Sequence, residues 1–262
     1  MGDKTNSIGV GVSEVMELPL YFQSSKVKLS VLFHRALKQT FLLINLNLER
    51  SIYMKVLMLN GSSNLKGCTY TALEEVGKTL NTYGIDYEIF QIGAAPIRDC
   101  IGCGKCKETG KCIFNDDKVN EFVEKSKEAD GFVFGTPVYF AHPSGRILSF
   151  LDRAFYSSGS QGIYQFKPAA SIASARRAGT TASLDVINKY FTIRQMPVIS
   201  STYWNMVHGN KPEEVLQDKE GLQTMRNIAH NMAWILKCIE LGKQNGLEKP
   251  KFETGEKTNF LR

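Results

Sequence analysis

Residues 54–69 read MKVLMLNGSSNLKGCT, a short and nearly continuous apolar run that breaks into a polar turn and then at once into a helical pattern. A run of this length, bounded by turn residues, is the pattern of a buried strand. Strand, turn and helix in that order open a βαβ unit. Working outward, four more runs read as strands: IDYEIF (85–90), GFVFGT (131–136), AASIAS (169–174) and PVISST (197–202). Between them, apolar residues recur at helical spacing: Leu73, Val76, Leu80 and Tyr83; Val119, Phe122, Val123 and Ser126; Ile147, Leu148, Leu151 and Phe155. Gly84 is placed to stop the first helix, and Asn115 or Asp116 to cap the second. Further helices are expected over about 182–194 and 218–241. Five strands alternating with helices predict an α/β fold: a doubly wound, five-stranded parallel sheet of order 2-1-3-4-5 in three α/β/α layers.

A chain of 262 residues with 43% hydrophobic and 22% charged content is long enough for one large domain with a full core. The net charge of +6 is spread along the chain without a run of five basic residues, so no nucleic-acid arm is indicated, while a phosphorylated small molecule would be attracted. The strongest apolar stretch, 29–48, is interrupted by His34, Arg35 and Lys38, so no membrane span or membrane partner is expected. Four of the six cysteines lie between 100 and 112, a spacing that pairs poorly as disulfides and fits a reducing cytoplasm.

Residues 1–53 lack the strand–turn–helix order of the rest. Glu49 to Met54 can be encoded by GAA AGG AGT ATA TAT ATG, which holds a ribosome-binding site just upstream of a start codon, so the expectation is that 1–53 are a translated leader with Met54 as the natural start. The competing reading is an amphipathic helix over 29–43. The expected organisation is an N-terminal extension (1–53), an α/β domain (54–245) and a C-terminal tail (246–262).

In a 2-1-3-4-5 sheet the chain reverses direction between strands 1 and 3, and a ligand crevice opens where the loops after those strands part. After strand 1 comes NGSSNLKGCT (60–69): Gly61 and Gly67 permit tight turns, Ser62, Ser63, Asn64 and Thr69 offer polar groups, and the helix start adds unpaired N–H groups. It is a phosphate cradle that matches neither GxxxxGK(S/T) nor GxGxxG. The alternative is a polar turn that binds nothing. After strand 3 comes TPVYFAHPSG (136–145), where Val138, Tyr139 and Phe140 form an aromatic patch beside backbone amides, suited to a flat heteroaromatic ring. Cradle and platform together imply a mononucleotide with a large planar base.

GSSNLKGCT, TPVYF followed by GRILSFLDR, and SARRAGTT (174–181) resemble the flavodoxin-like NAD(P)H-dependent FMN reductase superfamily, and the cysteine loop resembles its iron–sulfur flavoproteins. The likeness covers 54 to about 240. It implies that Ser62, Asn64, Cys68 and Thr69, with Gly67, hold the FMN phosphate, and that Pro137, Val138, Tyr139 and Phe140 line the isoalloxazine. Ser174, Arg176 and Gly179 would border its other edge. Cys68 departs from relatives that carry Asn or Ser there, which puts only its side-chain contact in doubt.

The cysteine loop, CIGCGKCKETGKC (100–112), spaces Cys100, Cys103, Cys106 and Cys112 as C-x2-C-x2-C-x5-C, with glycines in the gaps. Four thiolates on a compact loop suit a single 4Fe–4S cluster. Metal-free redox thiols and a plain connecting loop stay open, and zinc fits less well because structural zinc sites pair two separated knuckles. Among other residues, Arg176 and Arg177 suit a flavin or NADPH phosphate or a solvated loop equally. His142 and His208 are loop histidines, Tyr203 and Trp204 suit a cover over the ring or a subunit interface, and Cys238 is expected in the core.

The resulting expectation is an FMN oxidoreductase with NAD(P)H as co-substrate, passing electrons to a small-molecule acceptor or redox protein, and forming a homodimer or homotetramer. No catalytic side chain is demanded, because flavin supplies the chemistry. Two rivals are a flavodoxin-type electron carrier, which a basic chain fits less well, and an FMN and thiol redox sensor.

Overall fold

The computed structural model describes residues 53–256 together with Lys38 and Thr258. The chain divides into two units, 1–52 and 53–262, and the expectations for the first fifty-three residues lie outside the described residues, Lys38 and Tyr53 apart. The second unit begins with β1 (Met54–Asn60) and α1 (Cys68–Asn81), followed by β2 (Ile85–Gln91). The cysteine segment holds the short α2 (Cys106–Thr109), after which come α3 (Val119–Glu128), β3 (Gly131–Tyr139), β4 (His142–Pro143) and α4 (Gly145–Ser157). β5 (Ala169–Ala175), α5 (Thr180–Ile193), β6 (Met206–His208), α6 (Pro212–Val215) and α7 (Lys219–Gln244) complete it.

The sheet runs β2-β1-β3-β5-β6, all parallel, which is the predicted 2-1-3-4-5 order once β4 is set aside as the return arm of a hairpin on β3. Alternation along each strand divides the core into two layers. Leu57, Leu59, Phe132 and Phe134 face α3, α4 and α5, whereas Val56, Met58, Val133 and Ile172 face α1 and α7. Burial on both faces is why these strands read as unbroken apolar runs. The first layer is aromatic: Phe134 lies against Phe122, Phe132, Phe155 and Phe191, with ring centroids 5.2 to 6.0 Å apart.

Three expectations need correction. The last strand is not 197–202. Only Val198 bridges Ala169, then Ser200 to Asn205 loop outward, and β6 completes the edge at 206–208. The polar run explains the break: Ser201 donates to the Thr224 carbonyl and the Ser200 carbonyl accepts from Asn231, so both bond α7 instead of a neighbouring strand, and pairing with β5 resumes only at the Asn205 carbonyl, which accepts from Ala173 N at 3.0 Å. The start of α3 is held by Asp117, whose Oδ1 accepts from Val119 N at 3.1 Å, and not by Asn115 or Asp116. Cys238 is exposed, on the outer side of α7.

Phe134→Ala removes a wholly buried ring and is expected to cost about 3–5 kcal/mol, read as a lower urea midpoint; a cost below about 1 kcal/mol would contradict the packing described. Glu88 joins Lys55 of β1 at 2.6 Å and Lys125 of α3 at 2.8 Å. Burial pushes its carboxyl up, but these two ammonium groups outweigh that and hold it below the usual carboxylate range. A carboxylate depressed in the fold contributes stability that is complete above its unfolded-state pKa and is lost as pH falls through its folded value. Glu88→Gln is therefore expected to flatten the acid limb of the stability profile, and an unchanged limb would count against the pairing.

Candidate cofactor site

The loops after β1, β3 and β5 gather at one end of the sheet. Gly61 N donates to the Gly135 carbonyl at 2.8 Å, fastening the first loop to β3. Thr69 and Ser174, both buried, share a hydroxyl hydrogen bond of 2.8 Å, joining the start of α1 to the end of β5. Pro137 lies beside Ser174 in the β3–β5 register. The turn at Phe140 and Ala141, with φ of 51° and 58°, folds β4 back onto β3. Gly179, at φ 93°, carries the third loop against it: a Cβ there would stand 2.3 Å from Ala141 Cα.

Within the first loop, Ser62 is buried, its N–H donating to Asn60 Oδ1 and its hydroxyl accepting from Asn64 N, both at 3.1 Å. Ser62 and Thr69 thus shape the loop by internal bonds, while Ser63 and Asn64 are exposed. Gly67 caps α1 without a side-chain bond and the first turn holds no acidic residue, so its amides are left for an anion. Cys68 is half-buried and its thiol donates to the Gly209 carbonyl at 3.6 Å. Burial, with Glu214 and Glu213 nearby, pushes that thiol up. Tyr139 and Phe140 are exposed beside the half-buried Pro137 and Val138. Arg176 and Arg177 are exposed, and His208 steadies their loop by donating Nε2–H to the Arg177 carbonyl at 3.1 Å while its own N–H is held by Asp218. Tyr203 and Trp204 pack edge to face, 4.7 Å between centroids, on the outward excursion before β6.

The cysteine loop follows β2 and packs on α4. Arg146 donates to the carbonyls of Ala94 and Ala95, and Ser149 to Asp99. Gly102, Gly104 and Gly110 have positive φ, which lets the backbone wind tightly. All four cysteines line one small cavity with Phe114, Arg153 and Tyr156, although among the described residues no three metal-ligating side chains stand close enough to enclose an ion. Cys106 is buried, and burial pushes its thiol up; Cys112 is half-buried; Cys100 and Cys103 are exposed. Asn120 of α3 clamps Cys112 through both its N–H and its carbonyl at 2.9 Å.

The sequence reading missed Arg153, Asp117 and Asn120. Arg153 is 1% exposed, pairs with Asp117, and donates Nε–H to Cys112 Sγ at 3.2 Å. Burial disfavours its charge, but Asp117 and Cys112 outweigh that and raise the guanidinium's pKa. The only trace in sequence is a charge on the flank of an apolar helical stripe. A larger cavity, about 220 Å³, lies at the other end of the strands between Met54, Phe166 and Leu236, away from all these groups.

The family model described as NADPH-dependent FMN reductase matches residues 54–211. The chain belongs to that family. Its relatives place it in the iron–sulfur flavoprotein branch: an iron–sulfur flavoprotein of Methanocaldococcus jannaschii is 32% identical over 193 residues, covering 71% of this chain and 100% of the relative. A second from the same organism is 29% identical over 197 residues, covering 70% and 98%. Among solved structures, RosB with a bound formylriboflavin phosphate intermediate superposes with a TM-score of 0.56 at 14% identity, covering 80% of this chain and 92% of that one. A flavone reductase gives 0.53 at 19% identity, covering 71% and 64%. Both structures bear on the fold alone. Membership makes this an FMN-dependent oxidoreductase, and no helix among the described residues is long and apolar enough to cross a membrane.

The site suits the family's cofactor. The uncapped, acid-free start of α1 matches a phosphate, and the hairpin at 137–141 offers a flat apolar face. Gly179→Ala forces a Cβ into Ala141 at a backbone conformation that costs other residues about 1–3 kcal/mol. FMN affinity, read from quenching of flavin fluorescence, is expected to fall by about tenfold or more; unchanged affinity would place the ring elsewhere.

Proposed function

We propose that this protein is an NAD(P)H-dependent FMN oxidoreductase whose cysteine loop carries a 4Fe–4S cluster, passing electrons to a small-molecule or protein acceptor. One observation carries the reading: a single helix, α4, ties both sites together. At its start Ser144 donates to the Gly61 carbonyl of the phosphate loop at 3.1 Å, and two and a half turns later Arg153 reaches Cys112. The two ends are about 13 Å apart along the helix axis.

When bound, FMN supplies hydride acceptance and electron release, and a cluster supplies one-electron transfer. The chain supplies position. The amides opening α1, with Ser62, Asn64, Gly67, Cys68 and Thr69 around them, hold the phosphate end. Pro137 to Phe140 present a face and backbone edge to the ring, and Ser174, Arg176 and Gly179 bound its other side. Four soft sulfur donors in one cavity, with Asp117 already committed to Arg153, suit iron–sulfur chemistry better than a hard cation. Exposed Phe140, Tyr203 and Trp204 favour a homodimer or homotetramer that covers them. A reducing cytoplasm would keep the thiols available.

Anaerobically purified protein is expected to hold about four iron and four sulfide per chain, alongside FMN, and to oxidise NADH or NADPH with a quinone acceptor. Cys112→Ser should lose iron and keep FMN. Absence of iron would remove the cluster, and failure to turn over either nucleotide would favour an electron carrier.

A further inference from the structure

We infer that Arg153 is a positioning residue for the metal–thiolate centre, fixing Cys112 and donating a hydrogen bond to its sulfur that raises the reduction potential of the cluster. This rests on the reading that the cysteine loop holds iron and sulfide.

The guanidinium is wholly spoken for. Nε–H points to Cys112 Sγ at 3.2 Å; one terminal nitrogen donates to Asp117 and to the Arg98 carbonyl at 3.3 Å; the other donates to the Phe114 carbonyl at 3.1 Å and to Asp117 Oδ1 at 3.2 Å. Its carbon centre stands 5.2 Å from the centroid of the Phe114 ring. A neutral thiol sulfur is only a weak acceptor for this buried N–H, whereas a thiolate there adds a second anionic partner in a place where unpaired charge is costly.

Cys112 is in turn the most constrained of the four. Asn120 holds its N–H and its carbonyl, and Arg153 holds its sulfur, while Cys100 and Cys103 are exposed. Hydrogen bonds to ligating sulfur withdraw electron density and favour the reduced, more negative state of an iron–sulfur centre. Arg153 therefore acts on the ligand, through geometry, and touches neither FMN nor nucleotide.

The test is an EPR-monitored redox titration of anaerobically purified wild type, Arg153→Lys and Arg153→Gln, with iron, sulfide and FMN measured on each. Both variants are expected to keep FMN, and Arg153→Lys, which preserves charge but lacks the Nε–H, is expected to shift the cluster potential to a more negative value. An unchanged potential in an iron-loaded Arg153→Lys overturns the inference and leaves the cluster reading intact. Wild type that holds FMN but no iron overturns both. Should the Arg153 variants fold poorly or lose iron, pulsed EPR on the reduced Arg98→Lys protein carrying 15N-labelled guanidinium groups decides it. A 15N coupling to the cluster supports the inference, and its absence overturns it.

Discussion

The hydrogen bond from Gly61 N to the Gly135 carbonyl holds the end of β1 to the middle of β3, and the site depends on that closure. Here the sheet changes direction, with β2 on one side of β1 and β5 on the far side of β3. Gly135 matters because it has no side chain: a Cβ would stand 2.7 Å from the Thr69 methyl group, so α1 can seat directly on the sheet only over a bare backbone. With α1 seated there, Thr69 meets Ser174 and the third loop is drawn in beside the first. A single parallel pairing thus gathers three loops far apart in sequence.

From the same point the second helix layer organises the cysteine segment. Ser144 bonds the Gly61 carbonyl and accepts from Ile147 N, so α4 starts at the loop after β1. Its exposed side is laced to residues 94–99, and its buried end carries Arg153 to the cysteines. The loop that looks in sequence like an independent unit is therefore a strap on the helix that follows the 137–141 turn. The connection between the two candidate redox sites is structural and contiguous, through one helix of thirteen residues.

Much of this was legible in the sequence, and the rest was not for definable reasons. Strands buried on both faces announce themselves as apolar runs, so β1, β3 and β5 fell within one to three residues of expectation, and the half-buried β2, IDYEIFQ, was legible from its alternation of apolar and polar residues. PVISST has strand-like composition, but its serines and threonine bond to α7, and tertiary partners overrode local propensity. The loops at the switch point were identifiable because topology says where to look. What they do with their hydroxyls was not: Ser62 spends its hydroxyl on Asn64 inside the loop, and Thr69 spends its own on Ser174. Arg153 and Asn120 were invisible because their partners, backbone and sulfur atoms and the Asp117 carboxylate, lie more than five residues away, and no spacing in a sequence encodes that.

We propose that the edge formed by the loops after β1, β3 and β5 binds FMN, phosphate at the start of α1 and ring against residues 137–141. A crystal structure of the protein purified with its flavin tests it most directly. Phosphate density is expected within hydrogen-bonding distance of the amides that open α1, with the isoalloxazine beside Pro137 to Phe140. Flavin density in the cavity at the opposite end, between Met54, Phe166 and Leu236, would contradict it.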